Sequence, residues 1–169
     1  VIADAIDRDG SFPGVGCANG LLMESMRTWT AERGIAIEPH GPDASARLAG
    51  LERSRLPAWA DRIHVGDART WSPDPALRFD SARTELGHAA PAERPALIAR
   101  LLHMVVKADG RLIACSYGST SAGIETVEPV ADPLRGWGST VAGEAGSRDS
   151  KGVRFTRVAW VDGPGRIAP

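Results

Sequence analysis

The sequence predicts an α/β fold: a Rossmann-like three-layer sandwich with a mainly parallel seven-stranded sheet that ends in an antiparallel hairpin. Three observations point there. Short apolar runs alternate with amphipathic stretches along most of the chain. A glycine-rich turn, GVGCANG at 14–20, joins the first run to the first amphipathic stretch. The last two runs, STVAGEAG and GVRFTRVAWVD, have no helix between them and therefore pair as a hairpin with one reversed strand. The chain has 169 residues, enough for one domain with a substantial core. The start, VIADAIDRDG, enters almost directly into the first motif, so 1–169 is expected to be a single domain lacking an N-terminal cap.

Each element has its own signal. The run ending in Phe12 and Pro13 is the first strand, and the glycine turn feeds a helix with Leu21, Leu22, Met26 and Trp29 on one face, ended by Gly34. IAIEPHG, 35–41, is the second strand. Asp43 and Ser45 then offer caps for a helix carrying Leu48, Leu51 and Leu56, closed by Pro57. RIHVGDA, 62–68, alternates with period two and is the third strand; WSPDPAL is a loop, and FDSARTEL, 79–86, is the fourth strand. PAERPALIARLLHMVV, 91–106, is a helix with Pro91 and Pro95 in or before its first turn and Leu97, Ile98, Leu101, Leu102 and Val105 as its buried stripe. KADG turns into the fifth strand, RLIACSYG at 111–118, and a helix from about Ile124 to Trp137 precedes the hairpin.

Bulk properties exclude several classes. Twenty Lys and Arg against 21 Asp and Glu leave a net charge of −1, with no long basic run to attract nucleic acid. No apolar stretch approaches the roughly 20 residues that span a bilayer. The acidic start lacks the order of a signal peptide. Cys17 and Cys115 lie far apart and fit no metal spacing, which predicts a reduced, cytoplasmic protein without a metal site.

Open α/β sheets bind ligands outside the carboxyl ends of their strands, so polar residues at successive strand ends are the informative ones. The first strand ends in the glycine turn, the second near Asp43, the third in Gly66-Asp67-Ala68 and the fourth around Arg83-Thr84-Glu85. Glycines and Ala18 let a ligand approach the backbone N–H groups. A carboxylate at the second strand end can accept from both ribose hydroxyls, and one at the third from an exocyclic adenine amine. The first two features also suit a nicotinamide-dependent oxidoreductase; the third favours another adenosyl ligand.

With GVGCANG, the Asp43 position in GPDAS, GDA at 66–68, FD at 79–80 and KADGRLIACS before the terminal hairpin, the chain resembles the class I S-adenosylmethionine-dependent methyltransferases from Phe12 to about Asp162. The resemblance implies S-adenosylmethionine (SAM) as cofactor. It implies that Gly14, Gly16, Cys17, Ala18 and Gly20 line the methionine and ribose side, that Asp43 holds the ribose with Ala44 beside the adenine, and that Asp67 and Ala68 meet the adenine. Thr84 and Glu85 would face the methyl donor. The departure is Gly14, where the family has an acid that positions the methionine amino group; a missing charge-assisted hydrogen bond costs roughly 1.5–3 kcal/mol.

Glu85 and His88 are the polar candidates for accepting a proton from a nucleophile being methylated, against the alternative of a solvated loop. His40, His64 and His103 show no ligand spacing, and Trp29, Trp59, Trp71, Trp137 and Trp160 scatter among elements as packing residues. Tyr117 follows the fifth strand, and its facing a pocket is left open. The expected function is methyl transfer to a small-molecule acceptor, with no membrane and no strong nucleic-acid signal; a homodimer is one way to complete an open cleft. The alternative is a non-catalytic binding or assembly module that retains the fold.

Overall fold

Successive residues of the central strands are buried on opposite faces, as a pleated strand requires, and so join two separate cores. Leu112, Ala114 and Ala159 pack with Phe79, Leu97, Ile98, Leu101 and Leu134, whereas Ile113, Cys115 and Val158 pack with Ile2, Ile6, Phe12 and Met26. A computed structural model describes residues 1–118, 127–148, 150, 152 and 154–166. In chain order its elements are β1 (Gly10–Pro13), α1 (Leu21–Ala31), β2 (Ile37–Asp43), α2 (Ala46–Arg55), β3 (Ile63–Val65), β4 (Phe79–Glu85), α3 (Arg94–Met104), β5 (Val106–Tyr117), α4 (Ala131–Gly136), β6 (Val141–Arg148) and β7 (Arg154–Asp162). Helix α1 and the 3-10 turn Ala3–Ala5 cover one face, and α3 and α4 cover the other.

The strands form two sheets, β1-β2-β3 and β4-β5-β7-β6, rather than the continuous seven-stranded sheet expected. The pairs β1/β2, β2/β3 and β4/β5 are parallel; β5/β7 and β6/β7 are antiparallel, as the hairpin reading requires. The sheets meet where β1 lies against β4, and the reason that no ladder forms there is local. Pro13 has no N–H to donate, and the Ser11 N–H bonds to the Asp80 carboxylate at 2.9 Å instead of a backbone carbonyl. One parallel bridge remains, Gly14 with Arg83, with the Val15 N–H donating to the Arg83 carbonyl at 2.8 Å.

Three further expectations need correction. In α1 the buried face is Met23, Met26 and Thr30, while Leu21 and Trp29 are exposed. In α2, Leu51 is exposed, and the residues taken inside are Ala49 and Glu52. The KADG stretch belongs to β5, where the register shift between Phe79 and Ser81 absorbs Lys107–Gly110. Helix α4 begins at Ala131, and the expected start at Ile124 lies outside the described residues. Helix α3 carries the predicted Leu97, Ile98 and Leu101 stripe behind a 3-10 turn at Pro91–Glu93.

Candidate functional site

The glycine turn leaves β1 by bending back onto β2. The Gly16 and Cys17 N–H groups both donate to the Pro42 carbonyl, at 2.8 and 3.4 Å, and Gly20 N–H donates to the Cys17 carbonyl at 3.0 Å. Ala18 N–H donates to the Asp43 carboxylate at 2.8 Å. The N–H groups of Gly16, Cys17, Ala18 and Gly20 are therefore engaged within the protein. What the turn presents instead is a bare backbone surface. Gly16 (φ 75°) and Gly20 (φ 76°) hold the left-handed conformation that glycine tolerates. Ala18 adopts it too (φ 54°), at a cost of about 1–2 kcal/mol. A side chain on Gly16 would collide with the His88 ring, and one on Gly20 with Leu56 and Glu52.

Asp43, 8% exposed, closes β2 directly over this turn. One carboxylate oxygen takes the Ala18 N–H and the other takes the Ser45 N–H, each at 2.8 Å. Ser45 caps α2 by accepting from Leu48 N–H at 3.3 Å. Asp67 lies beyond β3, where the Gly66 N–H reaches the Asp43 carbonyl at 2.8 Å. Its carboxylate is turned to Arg69, with contacts of 2.7 to 3.3 Å and a 2.8 Å bond from the Arg69 backbone. Those Arg69 hydrogen bonds hold the Asp67 carboxyl down at about 2. Ala68 is buried and Ala44 exposed; Arg100 from α3 fastens the loop by donating to the Ala68 and Trp71 carbonyls.

The end of β4 brings Thr84, Glu85 and His88 together. His88 Nδ1 contacts Thr84 Oγ1 at 3.1 Å and accepts from the Glu85 backbone N–H at 3.4 Å, while the Glu85 side chain accepts from the His88 backbone N–H. Nδ1 is thus the acceptor nitrogen, and the proton of the neutral ring sits on Nε2, against Gly16. Burial lowers the His88 pKa and keeps the ring neutral, with Glu85, Asp43 and Asp67 pulling the other way.

Two features of the site escape a reading of the sequence. Beneath the turn, Cys17 Sγ donates to Glu52 Oε2 at 2.8 Å, and Glu52 is fully buried with Oε1 lacking a partner among the described residues. Burial raises the Glu52 carboxyl above its ordinary range, and burial together with Glu52 raises the Cys17 thiol, which therefore holds its proton at neutral pH. Cys17 is accordingly a filler and not a nucleophile. Beside the turn, Arg83 is 2% exposed, ion-paired to Glu85 and stacked over the Tyr117 ring at 5.2 Å. Neither stands out in the sequence, because α2 also carries Arg47, Arg53 and Arg55, and β4 also carries Asp80 and Glu85. Gly14 has open space: a Cβ there would find its nearest contact 4.0 Å away, at Cys17.

No protein-family model and no curated protein matches this sequence. Solved structures do. The N-methyltransferase NodS of Bradyrhizobium japonicum WM9, in complex with S-adenosyl-L-homocysteine, is 16% identical with a TM-score of 0.66, over 91% of this chain and 78% of that one. The glycopeptide N-methyltransferase MtfA, complexed with SAM, is 16% identical with a TM-score of 0.62, over 92% and 82%. The [4+2]-cyclase SpnF is 16% identical with a TM-score of 0.65, over 96% and 79%. At these identities the likeness is one of fold.

Proposed function

We propose, on the premise of the class I S-adenosylmethionine-dependent methyltransferase fold that the chain shares with these proteins, that it binds SAM across the carboxyl edges of β1, β2 and β3 and transfers a methyl group to a small-molecule acceptor. The observation that carries this reading is the Asp43 carboxylate, which bonds to the glycine turn and to the cap of α2 and so joins two strand ends at one point. A carboxylate has about four acceptor positions; two are used, and two remain for the ribose hydroxyls. Asp67 serves the adenine amine once Arg69 yields it, with Ala68 and Ala44 along the ring. Gly16, Cys17, Ala18 and Gly20 give the methionine side a smooth floor, and Gly14 leaves its ammonium without an acid.

Bound SAM supplies a methyl group on an already activated sulfonium, so the protein's main task is to hold donor and acceptor in line. Thr84 and the neutral His88 stand beside that line. Glu85 is the nearer candidate for holding a proton released by the acceptor, since its carboxylate remains 37% exposed despite the Arg83 pair. A second reading, a relative that uses the fold for another purpose, is favoured by Gly14 and by the satisfied N–H groups of the turn; a fold shared with a cyclase does not by itself specify methyl transfer.

Calorimetry with SAM and S-adenosylhomocysteine separates the readings. Both ligands bind the protein under the first, and Asp67→Ala weakens each by about tenfold, the equivalent of one hydrogen bond to a charged group. Absence of binding by either at millimolar concentration overturns the cofactor assignment.

A further inference from the structure

A cavity of about 390 Å³ opens beside the ends of β4 and β5 and is lined by Leu22 and Trp29 of α1, Arg83 and Glu85 of β4, Tyr117 of β5 and Thr156 of β7. It shares no residue with the glycine turn, Asp43 or Asp67, yet its β4 wall flanks Thr84. Its chemistry is uneven. One side is apolar and aromatic; the other is Arg83, at 2% exposure the deepest cation of the wall. Glu85 engages one guanidinium nitrogen, a second makes only a long 3.5 Å contact to the Val15 carbonyl, and Arg83 Nε has no partner among the described residues. Tyr117 Oη, beneath the guanidinium, also lacks one. An Arg held out of water with unsatisfied donors destabilises the fold unless an anion compensates it. Glu85 does so only from a solvated position.

We infer that this cavity binds a carboxylate carried on a flat apolar body, with Arg83 and Tyr117 holding the carboxylate and Leu22 and Trp29 packing against the body. Guanidinium and carboxylate match as a planar fork, and the volume suits a single substituted ring. Calling that ligand the methyl acceptor rests on the proposed methyltransferase function; the carboxylate site itself does not.

Titration calorimetry with benzoate and with benzamide, the uncharged analogue of the same shape, tests the inference on the intact protein. Benzoate binds at least tenfold more tightly than benzamide, and Arg83→Gln removes the preference. Tyr117→Phe, which deletes only the hydroxyl, weakens benzoate severalfold and decides the matter if Arg83→Gln does not fold. Equal binding of the two probes, or no binding of either, overturns the carboxylate site. S-adenosylhomocysteine titrated in parallel keeps the two proposals apart: its binding without a benzoate preference sinks the cavity proposal alone, and a benzoate preference without its binding sinks the cofactor reading alone.

Discussion

Gly14 and Arg83 are partners across the junction of β1 and β4, so a side chain at 14 would project to the same face as the guanidinium. The Arg83 guanidinium also reaches back toward the Val15 carbonyl, at 3.5 Å. An acid introduced at 14 therefore has room and a cation beside it. Gly14→Asp alone raises SAM affinity by less than tenfold, because the new carboxylate pairs with Arg83. In the Arg83→Gln background the same change raises it by about tenfold or more, and the non-additivity of the two substitutions measures their coupling. Calorimetry on the four proteins reads this out; no gain in either background means that the turn does not hold the methionine ammonium. The place of Asp43 at the end of β2 was legible in the sequence, where it also offered a cap for α2. Arg83 was not, since a strand carrying Asp80, Arg83 and Glu85 reads as solvent-facing until the neighbouring strands are in place.

At the scale of elements, helix α2 shows why periodicity alone assigned the wrong stripe. Leu51 shares the sequence pattern of a buried residue, yet Glu52 takes the position under the glycine turn and receives the Cys17 thiol. The hydrogen bond and the close approach of Gly20 and Gly41 select Glu52, and neither is visible in a hydropathy pattern. Burial raises the Glu52 carboxyl in the folded protein. The unfolded chain then loses this proton first as pH rises, so the stability Glu52 contributes is complete below its ordinary pKa of about 4.5 and declines above it. Glu52→Gln keeps the shape and removes the titration. Its melting temperature relative to wild type therefore climbs as pH rises above about 4.5, whereas a difference independent of pH would mean that the fold does not raise the Glu52 carboxyl. The order of strands and helices among the described residues, by contrast, was readable, because prolines and glycines mark many of those boundaries locally.

For the whole molecule, the join between the two sheets lacks a backbone ladder, and side chains fasten it instead. On one side Asp80 takes Ser11 and Lys107, each at 2.9 Å. On the other, an aromatic group spans from β2 and β3 to β4: His40 meets Phe79 edge-on at 4.8 Å and stacks on His64 at 6.4 Å, and Trp71 lies against both His64 and Phe79. Pro13 already announces a missing donor at this join, but only the fold reveals what replaces it. Burial, with Arg62 and His64 adding to it, pushes His40 down to about 4, and burial with Arg53 lowers His64. A depressed folded pKa means that the unfolded chain takes up protons first on acidification. The stability these rings contribute is present above about pH 6.5 and is lost as pH falls toward 4. The melting temperature of the wild-type protein therefore drops over that interval, and His40→Phe, which keeps a ring against Phe79, flattens the drop. Hydrogen exchange locates the effect: the Val15 N–H, bonded across the join to Arg83, loses protection ahead of the β5–β7 ladder as pH falls. Simultaneous loss across both sheets would place the acid-sensitive step elsewhere than at this join.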